Sequence, residues 1–246
     1  MRFAVFGDIH ANLEALEAVL ADARAHECTN YVCLGDVVGY NANPHECVEI
    51  VRKLDCPIVK GNHDEQASIE VAPEDSDKPE IFNPLAEEAI NWTRNHLTDE
   101  DKKWLRELRL IRQVRDFTIV HATLDTPHKW GYVFNQLDAA ASFSYQHTNI
   151  CFYGHTHAPR AYVKDAAVKG VPLDRLIIES NKKYFINVGS VGQPRDGDWH
   201  AAYCIYSPGD HIVELRRIEY DINTAQDKIV DAGLPQRLAD RLALGK

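Results

Sequence analysis

A chain of 246 residues is long enough to bury its own core, and a single domain over 1–246 is the simplest organisation. Hydrophobic residues at 45% and charged residues at 26% exclude a disordered or fibrous chain. With 27 Lys and Arg against 37 Asp and Glu, the net charge of −10 opposes long-range attraction to a polyphosphate backbone, which argues against a sequence-blind nucleic-acid binder.

Only five apolar residues precede the first acidic group, Asp8, too short a run for a signal peptide or a membrane span, so a cytoplasmic location is expected. Arg2 to Phe6 reads as a strand ending at Gly7. Asn12 then caps a helix whose Leu13, Leu16, Val19, Leu20 and Ala23 recur at helical spacing. The unit repeats with a strand over Tyr31 to Leu34 and a helix from about Pro44 to Leu54, and a third strand is expected over Pro57 to Lys60. From Gln66 to Glu80 five acidic residues, two prolines and a single lysine predict a solvated loop. Apolar residues between Asn83 and Glu107 predict two helices joined near Thr98, which carries a capping signal. The stretch 66–107 thus reads as an acidic loop with a small helical cap beside the sheet.

Beyond Ile111 the segments turn short and β-like: Phe117 to Val120, Ile150 to Tyr153, Ala161 to Val163, Leu176 to Glu179, Tyr184 to Val188, Ala202 to Tyr206 and Ile212 to Ile218. A helix around Leu137 to Phe143 interrupts them. A Gly233-Leu234-Pro235 break divides two terminal helices. Two sheets packed face to face with helices outside bury all these elements most simply. Six scattered cysteines with no C-x-x-C pair read as buried reduced thiols.

Five polar clusters each follow a strand-like run: Asp8-Ile9-His10, Gly35-Asp36, Gly61-Asn62-His63-Asp64, His121 and Gly154-His155-Thr156-His157. Asp8 to Asp36 spans 28 residues and Asp36 to Asn62 spans 26, near the ~30-residue length of a βαβ unit. The three loops that carry Asp8, Asp36 and Asn62 should therefore converge at one carboxyl edge of a parallel sheet. Singly, each residue has a bland reading as a helix cap, a turn residue or a satisfied histidine. Collectively they do not, because Asp8 and Asp36 would repel each other among neutral imidazoles. Oxygen and imidazole donors together suit first-row divalent metals. Asp8, His10, Asp36, Asn62, His121, His155 and His157 are enough for two ions if Asp36 bridges them. Such a centre leaves net positive charge facing solvent, where an anion is welcome.

In their order these clusters resemble the D-x-H, G-D, G-N-H-D/E, H, G-H-x-H pattern of the calcineurin-like metallophosphoesterase superfamily, over about residues 1–206. The segments DIHANLEAL, GDVVGYNANP and NVGSVGQPRDGD are most similar to small bacterial phosphoesterases grouped with diadenosine tetraphosphate hydrolases. The resemblance implies a four-layer α/β/β/α sandwich. It also implies one ion on Asp8, His10, Asp36 and His157, and another on Asp36, Asn62, His121 and His155. The Asp-Arg pair that follows G-D in protein phosphatases is absent, Val37-Val38-Gly39-Tyr40 standing there, which argues against protein dephosphorylation. Ala122 after His121 and Val188 in Asn187-Val188-Gly189-Ser190 are smaller departures.

A dinuclear phosphoester hydrolase follows as the leading expectation, a phosphodiesterase or pyrophosphohydrolase acting on nucleotides such as dinucleoside polyphosphates. Manganese is the foremost metal, with iron, zinc, nickel and cobalt as alternatives. His63 is free to stabilise or protonate the leaving oxygen, with Asp64 to orient it. Arg195 can grip a substrate phosphate, and Asn12 and Tyr40 complete the candidate substrate-binding set; the bland reading of Arg195 is a surface ion pair with Asp196 or Asp198. Two other readings compete. A DNA exonuclease would need a basic stripe that the sequence lacks, and a non-catalytic interaction scaffold would not need the complete ligand set. The expected partner is a small phosphorylated or nucleotide substrate, with no membrane and no nucleic acid; a homo-oligomer is left open.

Overall fold

The computed structural model describes residues 1–69 and 83–246, so most of the expected acidic loop lies outside the described residues. The described chain forms two sheets and eight α-helices. The first sheet holds β1 (Phe3–Phe6), β2 (Asn30–Cys33), β8 (Arg175–Ile177), β10 (Ala201–Ser207) and β11 (Ile212–Ile218), in the order β2-β1-β10-β11-β8. The second holds β3 (Ile111–Val114), β4 (Phe117–Val120), β5 (Ile150–Tyr153), β6 (Arg160–Lys164), β7 (Val168–Val171) and β9 (Lys183–Asn187), in the order β3-β4-β5-β9-β6-β7. Around them lie α1 (Leu13–Ala25), α2 (Pro44–Lys53), α3 (Asn62–Ala67), α4 (Pro84–His96), α5 (Asp99–Glu107), α6 (Gln136–Tyr145), α7 (Ile222–Asp231) and α8 (Gln236–Leu244).

The four layers follow from side-chain alternation along the strands. In β1, Phe3 and Val5 face the seam between the sheets while Ala4 and Phe6 face the helices. In β5, Ile150 and Phe152 enter that same central seam, whereas Cys151 and Tyr153 pack against Ala139 and Phe143 of α6. Both faces of each sheet are thus apolar, and three seams hold an α/β/β/α sandwich together. In the central seam Phe117 meets Phe3 and Phe152 edge to face, with centroids 5.3 and 5.4 Å apart.

Caps define the helix starts. Asn12 accepts the N–H of Ala15 to begin α1, and Thr98 and Asp101 form a reciprocal capping box on α5. The buried Asp101 also accepts from Arg52 and bonds the His45 ring, tying α5 to α2. As expected from their sequence, α4 and α5 form. They rest on α2 and α3 and share the outer apolar seam with α1 and the terminal helices. The strand expected over Pro57 to Lys60 is reduced to two isolated bridges, Cys33 with Ile58 and Val59 with Arg109. β7 and α3 had no sequence signal of their own, one being mostly exposed with Gly170 within it and the other a short run starting on site residues. All six cysteines are free thiols, five of them buried.

What positions the site is the facing of two parallel edges. β1 and β2 run parallel in the first sheet, and β4, β5 and β9 run parallel in the second. The chain leaves β1 into Asp8, β2 into Asp36, β4 into His121, β5 into His155, and β9 into Val188, so all five loops meet where the two carboxyl edges converge.

Candidate metal centre

Asp8, His10, Asp36, Asn62, His63, His121, His155 and His157 are all buried and all brought together. Single donor atoms of Asp8, His10 and His157 lie within 4.8 Å of one another, as do those of Asp36, His121 and His155, and a third group joins His10, Asp36 and His63. His121 Nε2 sits 3.3 Å from Asp36 Oδ2 and 3.1 Å from Asn62 Oδ1, and His157 Nε2 sits 3.5 Å from Asp8 Oδ1.

Each imidazole is oriented by a backbone carbonyl on its outer side. His10 Nδ1 donates to Val38 O at 3.1 Å, His121 Nδ1 to Leu34 O at 2.8 Å and His157 Nδ1 to Gln193 O at 2.6 Å. Carbonyls only accept, so these rings hold a proton on the outer Nδ1 and turn Nε2 to the centre. His155 is reversed, its Nε2 donating to Trp130 O at 2.9 Å, which leaves Nδ1 for the centre. One inward nitrogen from each of four rings, beside two carboxylates, forms a nitrogen and oxygen donor set, and such a set fits a divalent transition metal.

The backbone is strained to achieve this. Asp8, His10, Asp36, His155 and His157 all have φ between 49° and 68°, a left-handed conformation that costs a non-glycine residue about 1–3 kcal/mol and persists where surrounding structure enforces it. Glycines make room for the carboxylates: a Cβ on Gly61 would lie 2.0 Å from Asp36 Oδ1, and one on Gly154 would lie 2.5 Å from Asp8 Oδ2. The segment after β9 braces both loops. Asn187 Nδ2 donates to Gly154 O and Thr156 Oγ1, while Ser190 Oγ donates to Asp8 O.

Without metal, the electrostatics of this cluster are those of a site short of positive charge. Burial pushes Asp8 up to about 7, with Asp36 adding to the rise and His121 opposing it. Burial also acts upward on Asp36, but His121, His63 and His10 outweigh it and hold that carboxyl well below its ordinary value. His121 overcomes its own burial through Asp36 and Asp8 and rises to about 9. One imidazolium thus supplies the compensating charge that the sequence alone did not provide.

The remaining site residues divide. Burial lowers His63 to about 4, so its ring is neutral near pH 7 rather than poised there, and it packs against His10 and Tyr40. Asp64, expected to orient His63, braces the backbone: its oxygens accept the N–H groups of Asp36, Val37, Val38 and Gly61. Asn12 is turned to structural work, its amide capping α1 and donating to Gly192 O. Tyr40 and Arg195 do meet at the site, Arg195 Nη2 donating to the Tyr40 hydroxyl at 3.3 Å and to Gln193 Oε1 at 2.7 Å. Neither Asp196 nor Asp198 is within ion-pair distance of Arg195; both flank Arg217 instead. Sequence reasoning missed Trp130, because a carbonyl that orients a ring leaves no residue signature. It also missed Tyr132 and Phe134: Tyr132 stacks on His155 at 4.2 Å and Phe134 on Tyr132 at 5.4 Å, with 49% and 64% exposure.

The family model described as the calcineurin-like phosphoesterase superfamily domain matches residues 1–209. The chain belongs to that superfamily. With the His and Asp clusters above, it is a metal-dependent phosphoesterase. An uncharacterised protein of Methanocaldococcus jannaschii is 40% identical over 99% of this chain and 98% of its own length. The crystal structure of a metallophosphoesterase from Sphaerobacter thermophilus superposes with a TM-score of 0.88 at 39% identity, covering 100% of this chain and 99% of that one. A symmetrical bis(5'-nucleosyl)-tetraphosphatase of Sodalis glossinidius is 32% identical over 40% of this chain and 39% of its own length. Among the described residues of this phosphoesterase no helix is long and apolar enough to cross a membrane.

Proposed function

We propose that this phosphoesterase hydrolyses phosphoanhydride or phosphodiester bonds of small nucleotides, dinucleoside polyphosphates among them, with two divalent ions that share Asp36. Asp8, His10, Asp36 and His157 would hold one, and Asp36, Asn62, His121 and His155 the other. The observation that carries this reading is the pair of buried triads, Asp8–His10–His157 and Asp36–His121–His155, each of whose rings turns one nitrogen inward while the other donates to a backbone carbonyl. The donor set mixes imidazoles with carboxylate and amide oxygens and contains no thiolate, which admits manganese, iron, cobalt, nickel and zinc, and we take manganese as the first ion to test. The chemistry that such a pair of ions supplies is Lewis-acid activation of water and neutralisation of the phosphoryl oxygens.

The residues around the centre have separate tasks. His63, next in sequence to Asn62 and neutral at pH 7, donates an N–H to the leaving oxygen. Arg195 offers a planar fork to a phosphate. Tyr132 and Phe134 present exposed, stacked rings flush with His155, a surface on which a nucleobase gains stacking energy. This aromatic pair supports a nucleotide over a simple alkyl phosphate, and the partial likeness to a bis(5'-nucleosyl)-tetraphosphatase points the same way. The net charge of −10 weighs against a DNA exonuclease, and the intact donor set weighs against a scaffold.

A hydrolysis panel with added Mn²⁺ tests the reading, comparing nitrophenyl phosphate, bis-nitrophenyl phosphate, a dinucleoside tetraphosphate and single-stranded DNA. The highest kcat/KM is expected on the dinucleoside tetraphosphate. Preference for the DNA, or no turnover of any ester, would overturn it.

A further inference from the structure

The C-terminal helix lies outside the region matched by the family, yet it reaches the site. Its apolar face, Leu238, Ala239 and Leu242, is buried in the outer seam. Next to that face, Arg241 extends to Tyr40, its guanidinium carbon 6.0 Å from the ring centre, while that of Arg195 lies 5.6 Å from the same ring. The Tyr40 ring in turn touches His10 and His63, at 4.8 and 4.5 Å. Two guanidinium groups therefore converge on one aromatic side chain at the border of the metal centre.

What sets them apart is that both meet one buried tyrosine ring, whereas Arg52, Arg216 and Arg217 are each held by a carboxylate, of Asp101, Asp22 and Asp196. Among the described residues no side-chain carboxylate lies within ion-pair distance of Arg195 or Arg241, and neither terminal amino group of Arg241 makes a hydrogen bond. The anchoring is nonetheless specific. Arg241 Nε donates to Lys246 O at 2.9 Å, and Gly197 N donates to Gly245 O at 3.0 Å, so the end of the chain is fastened to the loop that carries Arg195. Burial and the neighbouring Arg195 both act against the charge of Arg241 and lower its pKa. A fold that holds two like charges together, half-buried and with no Asp or Glu beside either guanidinium, is complementary to an anion.

We infer that Arg241 and Arg195 form a second anion subsite, which holds a phosphoryl group next to the one being cleaved and so selects substrates with a phosphoanhydride chain over isolated diesters. This rests on the phosphoester-hydrolase reading and names the residues that set its substrate class. An isolated diester has no second phosphate to place there, whereas each additional phosphoryl group of a polyphosphate brings oxygens that two forks can grip.

The test uses the full metal-loaded chain with Arg241→Gln, Arg241→Lys and Arg195→Gln. Arg241→Gln is expected to raise KM for a dinucleoside tetraphosphate by a factor exceeding its effect on bis-nitrophenyl phosphate by roughly tenfold or more. Arg241→Lys, which keeps the charge without the fork, should fall between, and it serves in place of Arg241→Gln if that variant fails to fold. Inorganic tripolyphosphate, titrated calorimetrically beside inorganic phosphate, should lose affinity in Arg241→Gln and Arg195→Gln by a larger factor than phosphate does. Equal losses on the two esters, or tripolyphosphate binding as tight in Arg241→Gln as in the unmodified protein, would overturn the inference. The calorimetry needs no turnover, so an anion subsite that stands while no ester is hydrolysed would separate failure of the hydrolase reading from failure of this one.

Discussion

His10 and His157, 147 residues apart in the chain, bring their Nε2 atoms within 3.1 Å of each other while both Nδ1 atoms donate outward to carbonyls. Two bare nitrogens at that distance repel unless a cation lies beside them. The folded state therefore gains from any ion that binds here and not to the unfolded chain. At a thousandfold excess over Kd that linkage is worth about 4 kcal/mol, and each kcal/mol moves Tm by about 2–4 °C at this chain length. Chelation with EDTA is expected to lower Tm accordingly, and Mn²⁺ to restore it. Identical melting curves with and without EDTA would contradict the ligand role of this pair.

Asp36 is common to both halves of the centre, with Oδ2 facing His10 at 3.6 Å and His121 at 3.3 Å. In the proposed two-ion centre, Asp36→Asn would remove the charge that both cations share and leave them repelling across a neutral amide. At least one metal equivalent should be lost together with most activity. Elemental analysis of the purified variant decides the point, and two fully occupied ions would show that Asp36 does not bridge.

Much of this was legible in the sequence, for identifiable reasons. The polar clusters stand where strand-like runs end, and their βαβ-like spacing placed the Asp8, Asp36 and Asn62 loops at one edge, with His121, His155 and His157 joining them as the remaining metal-type donors. Many short apolar runs with helices between them implied two sheets packed face to face, and the resemblance supplied the four layers. Other features left no trace in residue identity. The carbonyls of Val38, Leu34, Gln193 and Trp130 that turn the imidazoles inward are backbone atoms. Arg241 is one arginine on an amphipathic helix, and only the fastening of Gly197 to Gly245 brings it to Tyr40. Asp64 follows His63 and so invited a catalytic reading, whereas the helical turn of α3 points its carboxylate at the Asp36 loop.

The metal-free site should also be recognisable by its pH dependence. Asp8 is raised to about 7 from an ordinary 3.8, and His121 to about 9 from 6.5. His10, His63, His155 and His157 are lowered, so above about pH 7.5, a unit past the unfolded value, they are neutral in both folded and unfolded chains and contribute little slope. A native state that holds more protons than the unfolded chain loses stability as pH rises. Stability tied to protonated His121 is present in full below 6.5 and is lost as pH passes 9; the Asp8 contribution is lost as pH passes 7. Tm of EDTA-treated protein should therefore fall between about pH 7.5 and 9. With Mn²⁺ bound the ions replace those protons and the fall should vanish. A rise of Tm across that interval in the chelated protein would refute the proposed distribution of charge.

Asp64 and His63 are adjacent in sequence, and their variants should separate cleanly. The Asp64 carboxylate accepts the N–H of Asp36 and of Val37 at 2.8 Å, of Gly61 at 3.0 Å and of Val38 at 3.4 Å. An asparagine keeps one acceptor oxygen and turns an amino group toward N–H donors, leaving at least one buried donor without a partner at about 1–3 kcal/mol each. Since those N–H groups fix the loop that aims Asp36, Asp64→Asn is expected to lower Tm and to lose metal at once. His63→Asn should leave both properties nearly intact and reduce kcat by roughly 10²–10³, the range for a lost hydrogen-bond donor to developing negative charge, with a smaller defect on substrates whose leaving oxygen develops less charge. If Asp64 instead worked by orienting His63, its asparagine variant would copy the His63→Asn profile, with full metal content, unchanged Tm and a loss confined to kcat. Melting, metal analysis and turnover of nitrophenyl against alkyl esters, measured on the two variants side by side, tell the two roles apart.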